Sequence, residues 1–151
     1  MTPRLNAFTA APELMKAFFA FSNQVFESGL EKPLLMLVKI RTSQINGCAN
    51  CLNMHTFEAR HAGETEQRIA LLDAWHEAPC YSERERAALA WTDHVTLIAE
   101  KRAPDEVYAA LEAQFSQEEQ VTLTLMIDNI NGWNRLAVAF RLFEPSLGWK
   151  E

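Results

Sequence analysis

The 151-residue chain has no surplus of basic residues, no long apolar run and no second cysteine pair, and each absence narrows what it can do. Lys and Arg total 14 against 20 Asp and Glu, for a formal net charge of −6. Affinity for a phosphate backbone rests on clustered Lys and Arg, so nucleic acid is excluded as a partner. The longest uninterrupted apolar runs, Ala17–Phe21 and Leu34–Val38 among them, reach five residues. A membrane-spanning helix needs about 20. The opening stretch MTPRLNAFTAAPELMK lacks an apolar segment of signal-peptide length, and Glu13 and Lys16 interrupt it. A cytoplasmic protein whose mature form starts near Met1 is expected. Repeats, low-complexity segments and linkers rich in Pro, Gly or Ser are missing as well, so the length predicts a single domain over 1–151.

The five Gly and six Pro fall mostly between segments of helical periodicity. A first helix is expected over 12–28, with Pro12 at an early position and Gly29 as its stop. A second spans 33–45, where Leu34, Leu37, Val38, Arg41 and Ile45 recur at helical spacing. Asn46-Gly47 breaks it, and a third starts at or near Cys48 and ends before Gly63. A short helix is expected over 65–75, followed by a loop at 77–81. Ser82-x-x-Glu85 and Ser116-x-x-Glu119 read as capping boxes that open two further helices, with another starting at Pro104-Asp105. Ala88, Trp91, Val95 and Ile98 line one face behind the first box. The segment Val121–Leu125 alternates apolar and polar residues as a strand would. The capping box before it, and Met126, Ile130, Trp133 and Ala137 after it, decide for a helix reaching about Leu142. Gly132 inside that helix costs about 1 kcal/mol relative to Ala, which points to a close approach or a bend. The fold class is all-α. Val121–Ile130 and Ala17–Phe21 present more apolar face than one protomer can cover, so a homo-oligomer is expected.

The chemistry sits in Gly47-Cys48-Ala49-Asn50-Cys51-Leu52-Asn53-Met54-His55. Residues three and four apart on a helix share a face, so Cys48 meets Cys51 and Cys51 meets His55. A helix N-terminus favours thiolate over thiol, and an adjacent imidazole can take the proton. The three residues amount to a two-electron device: one thiolate to attack, one thiol to resolve and one base. A zinc module is the competing reading. It would need ligands from His55 on the same face and from the scattered His61, His76, Cys80 and His94, since no second C-x-x-C and no H-x-x-x-H is present. His61 falls on another face of the helix and is expected to be exposed. His76 and His94 read as structural, Cys80 as a packed or idle thiol, and the recurring Phe and Trp residues as core packing.

The stretch from Leu37 through Ile45-Asn-Gly-Cys-Ala-Asn-Cys51 to His55 strongly resembles the carboxymuconolactone decarboxylase superfamily, in its AhpD-like alkylhydroperoxidase branch. The resemblance continues through Ala62–Arg68, Ser82–Trp91 and Ile130–Leu136 and covers essentially the whole chain. It implies an AhpD-like helical bundle forming homo-oligomers, often trimers or hexamers. It also implies a thiol peroxidase that works without haem, flavin or metal. Carried over, Cys51 resembles the peroxidatic cysteine, Cys48 the resolving cysteine nearer the surface, and His55 the relay histidine. The implied substrate is an organic hydroperoxide, and the implied reductant a dithiol such as dihydrolipoamide or a thioredoxin-like protein. Two positions depart from the best-studied branch. Asn50 stands where that branch has a second histidine, and Met36 stands where it has a glutamate, with Glu31 and Gln44 as candidate replacements. The other readings are a non-catalytic redox-sensing or metal-binding oligomer and a decarboxylase-type lyase.

Overall fold

Residues 2–143 are described by a computed structural model, and among them the regular structure is entirely helical, as expected. The helices are α1 (Ala7–Ala10), α2 (Pro12–Phe26), α3 (Lys32–Ile45), α4 (Ala49–His61), α5 (Glu66–Leu71), α6 (Glu83–Thr96), α7 (Ile98–Lys101), α8 (Asp105–Glu112) and α9 (Gln117–Phe140). A single 3₁₀ turn, Leu72–Ala74, extends α5. No helix among the described residues is long and apolar enough to cross a membrane.

Local chemistry accounts for most boundaries. Pro12 sits in the first turn of α2, where a missing N–H costs nothing. Both capping boxes form, with Ser82 and Ser116 accepting from the amides of Glu85 and Glu119 while each glutamate reaches back. The strand-like pattern at Val121–Leu125 yields to its box, and the segment is helical. One expectation needs correction. Ile98 does not continue the α6 face: the helix ends at Thr96, and Ile98 opens the short α7 with 48% of its surface exposed.

Helix α3 is the spine. Leu35, Leu37, Val38 and Ile40 have no exposed surface, because the helix is covered on several sides. Leu35 and Val38 join Leu123, Ile127 and Ala88 in one apolar cluster, while Leu37 and Ile40 join Leu72, Trp75 and Leu89 in another. Helix α9 crosses α2 at Gly132. A Cβ there would lie 2.7 Å from Cζ of Phe18, which explains a glycine in mid-helix as a close approach. Of the apolar surplus expected for assembly, Leu123, Met126, Ile127 and Ile130 are spent inside this core. Leu14, Phe19, Val121 and Leu125 remain exposed.

Candidate functional site

The turn from α3 to α4 is fixed before any cysteine is reached. Gly47 adopts φ +62°, a conformation that favours glycine, and the Cys48 amide donates to the Ser43 carbonyl at 3.0 Å. Asn46 donates to the side-chain oxygens of Asn131 and Asn134 on α9, at 2.9 Å each, and Asn134 donates to Ser43 at 3.1 Å. Asn131 and Asn134 are buried and Asn46 is half-buried, and Asn131 also donates to the Ile127 carbonyl, so the turn is clamped against α9 by a complete polar network.

Cys48 is the N-cap of α4, and its sulfur accepts from the Cys51 amide at 3.3 Å. Cys48 and Cys51 are joined as a disulfide with Cα atoms 5.4 Å apart, while Cys80 is free. Cys48 was expected nearer the surface. The structure corrects this: the two cysteines are 1% and 2% exposed, both covered by Ala137 and Leu142.

His55 lies one turn further along and is buried. Its Nδ1 is 3.1 Å from Oε2 of Glu58, and the same oxygen accepts from Nζ of Lys39 at 3.3 Å. Burial opposes a charge on Glu58, but the hydrogen bond from His55 and the Lys39 ammonium outweigh it and bring the carboxyl pKa down to about 2. A carboxylate can only accept, so Nδ1 carries the proton and Nε2 is left as the basic nitrogen. For His55, burial is the largest influence, and with the Lys39 charge it pushes the imidazole below its ordinary 6.5 against the pull of Glu58. The ring is neutral at neutral pH.

The glutamate partner is therefore Glu58. Neither Glu31 nor Gln44 fills that place: Glu31 pairs with Arg84 at 2.8 Å, and Gln44 faces Arg41. Glu58 lies three residues past His55 and seven past Cys51, on the stripe the cysteines already occupy, so helical spacing could have found it.

Cys51, His55, Glu58 and Lys39 line one cavity of about 570 Å³, within the range of small-molecule sites. Much of its wall is apolar, from Phe8 and Phe19 on α1 and α2 to Met54 on α4 and Trp133 on α9. These aromatics, read from the sequence as packing, include cavity-lining residues. Cys48 lines a different cavity, also about 570 Å³, between α4 and the end of α9. The other histidines stand apart. His61 is exposed and its Nδ1 is 2.9 Å from the Phe57 carbonyl oxygen, His94 sits 3.1 Å from the Arg102 carbonyl, and His76 stacks on Trp75. Among the described residues no group of three or more His, Cys, Asp or Glu gathers as a metal site.

The shifts of Glu58 and His55 have one sign for stability. Each group binds fewer protons in the folded chain than in the unfolded chain, so stability rises with pH across its window. The contribution of Glu58 is complete above pH 4.5 and lost as pH falls toward about 2, and that of His55 begins to fall below 6.5. Thermal unfolding of the parent and Glu58→Gln should therefore converge as pH drops from 4.5 to about 2. Parallel curves over that window would contradict the carboxylate assignment.

Comparison with known proteins agrees with this architecture. The family model described as the carboxymuconolactone decarboxylase family matches residues 12–94. The uncharacterized protein YdfG of Bacillus subtilis (strain 168) is 45% identical over 139 residues, 92% of this chain and 95% of the relative. A crystal structure of an Agrobacterium tumefaciens protein of unknown function, whose description proposes an AhpD role in antioxidant defence, is 50% identical. It superposes with a TM-score of 0.93 over 95% of this chain and 99% of its own. An uncharacterized peroxidase-related protein from Silicibacter sp. TM1040 shares the fold at 23% identity, with a TM-score of 0.83 over 96% and 77% of the two chains. The chain belongs to the carboxymuconolactone decarboxylase family, in its AhpD-like branch.

Proposed function

We propose that the protein is a thiol peroxidase that reduces organic hydroperoxides, with Cys51 as the attacking thiolate, Cys48 as the resolving thiol and His55 as the base. The observation that carries the reading is the shared cavity: one cysteine of the disulfide, a neutral imidazole and its carboxylate partner line a space of ligand size with a largely apolar wall. In the reduced protein, Nε2 of His55 takes the Cys51 proton. The thiolate attacks one peroxide oxygen, the O–O bond breaks, and the alkoxide leaves with the proton from His55. Cys51 is then a sulfenic acid, which Cys48 condenses with to form the disulfide and water. A dithiol, dihydrolipoamide or a thioredoxin-like protein, returns two electrons by exchange. Glu58 fixes the tautomer throughout, with Lys39 holding Glu58 charged. We further propose that the protein works in the cytoplasm as a homo-oligomer, with the exposed Leu14, Phe19, Val121 and Leu125 at subunit contacts.

The test is consumption of hydroperoxide by the purified protein in the presence of dihydrolipoamide. An apolar wall rewards an apolar substrate, so cumene hydroperoxide should exceed hydrogen peroxide in kcat/KM by about tenfold or more. Absence of turnover with every hydroperoxide, from a protein whose disulfide opens and closes normally, would overturn the peroxidase reading.

A further inference from the structure

The polar groups between α2 and α9 leave one acceptor over. Ser22 on α2 donates from its hydroxyl to the Phe18 carbonyl at 2.9 Å. It accepts from Nε1 of Trp133 at 2.8 Å and from Nδ2 of Asn129 at 2.9 Å, both on α9. A hydroxyl has one hydrogen, and this one is given to Phe18, so the group that Asn129 presents to Ser22 must be a donor. That settles which way the amide faces: nitrogen toward Ser22, Oδ1 away from it. Asn129 is 3% exposed. Among the described residues Oδ1 accepts from no donor, and every side-chain nitrogen or oxygen sealed from solvent has a partner. Oδ1 is therefore not sealed. It opens on accessible space, and the space that Asn129 lines is the cavity of Cys51, His55 and Glu58.

Helix α9 holds this acceptor away from the reacting end. Asn129, Trp133 and Ala137 follow one another at intervals of four and line the same cavity. Ala137 packs on the two cysteines. The rise of the helix puts Asn129 about 12 Å along the axis from Ala137. We infer that Oδ1 of Asn129 is a substrate-recognition group, accepting a hydrogen bond from a donor on the body of the ligand, remote from the group that meets Cys51. The substrate is thereby narrowed to an amphiphile: an apolar body with a hydroperoxide at one end and a donor, a hydroxyl in its simplest form, at the other. The inference rests on the proposed peroxidase activity for the reacting end alone; the acceptor stands on geometry.

An acceptor held this way discriminates by what a wrong ligand leaves unmet. A ligand without the donor sets carbon against Oδ1 and strands the oxygen inside an apolar enclosure. The amide cannot turn to avoid this. Rotation would bring its oxygen against Ser22 Oγ, whose hydrogen is already given to Phe18. Glu58, the carboxylate in the same cavity, is engaged differently, since its Oε2 already meets His55 and Lys39.

The experiment reads binding and needs no turnover. Octanol and its methyl ether share an apolar body, and only the alcohol can donate. Titration calorimetry of the oxidised protein should show octanol bound about tenfold more tightly than the ether, the worth of one neutral hydrogen bond at its upper end. Asn129→Leu keeps the branched shape and removes the acceptor, so it should bind the two probes within about twofold of each other. Ser22→Ala frees the amide to turn and should lower the discrimination as well; it replaces Asn129→Leu if that variant fails to fold. Equal binding of the two probes by the parent overturns the inference. So does discrimination that survives the substitution, which would belong to another acceptor such as Glu58. Turnover gives a second reading. Octyl hydroperoxide and its analogue with a hydroxyl on the far terminal carbon should share one kcat, while the hydroxyl lowers KM by about tenfold in the parent and not in Asn129→Leu. If no hydroperoxide reacts at all, the peroxidase reading fails, while the calorimetric order of alcohol and ether still decides the role of Asn129.

Discussion

Cys51→Ser should abolish peroxide reduction, and His55→Ala should slow the reaction of the reduced protein by about 10²–10⁴-fold, the usual worth of a positioned base. The reason is local. His55 is the one imidazole that shares the cavity with Cys51, and burial keeps it neutral and able to accept a proton at neutral pH. Glu58→Gln separates charge from position. The amide oxygen can still accept from Nδ1–H, so the ring stays oriented, but the carboxylate that raises the imidazole pKa is gone. The rate should fall less than for His55→Ala, and the acidic limb of its pH profile should move to lower pH. A residue that merely supported the fold would lower the rate without moving the limb. Stopped-flow oxidation of each variant between about pH 5 and pH 9 reads both effects. If His55→Ala reacts as fast as the parent at every pH, the base lies elsewhere.

What the sequence made legible was local. The two capping boxes, the glycine break at Gly47 and the stripe of Cys48, Cys51 and His55 each depend on neighbours within a turn or two, and each appears where expected. Gly132 was legible as an anomaly, though only packing could name Phe18 as its cause. Glu58 lay in plain view on the same stripe. Glu31, just before α3, pairs instead with Arg84, and Gln44 on α3 faces Arg41. The cavity was out of reach for a different reason. Phe8, Phe19 and Trp133 line one cavity with Cys51 only after α1, α2, α4 and α9 have come together, and no periodicity in one segment encodes a wall built from several. The cover over the two cysteines is of the same kind, since Ala137 and Leu142 are more than 80 residues from the pair they pack against.

The largest expected loss of stability lies away from both cavities. Arg41 on α3 donates from Nε and Nη2 to the two oxygens of Asp93 on α6, at 2.7 and 3.1 Å, and from Nη1 to Asp73 at 2.7 Å. The Trp75 indole N–H donates to Asp93 at 3.4 Å. The Asp93 side chain is 3% exposed and that of Arg41 11%, so the pair is screened from water on the carboxylate side. Asp93→Ala leaves a largely buried guanidinium with the exposed Asp73 as its remaining carboxylate and strips the Trp75 indole of its acceptor. Breaking one side of such a pair costs about 3–5 kcal/mol. At roughly 2–4 °C per kcal/mol for a chain of this length, the midpoint should fall by about 6–20 °C. The pair itself need not be worth that much. Replacing both partners, as in Arg41→Met with Asp93→Leu, removes the stranded charge together with its counter-charge and should recover most of the loss. Thermal unfolding of the two single variants and the double closes the cycle. Asp93→Ala within about 1 kcal/mol of the parent would mean that water reaches the guanidinium and the pair is not the buried clamp its exposure describes. The expected pattern, a deep loss in the single variant and recovery in the double, would identify Arg41–Asp93 as a device for registering α3 against α6. Helix α3 carries Lys39 to Glu58 and leads into the Cys48 turn, so that register is what sets the relay in place.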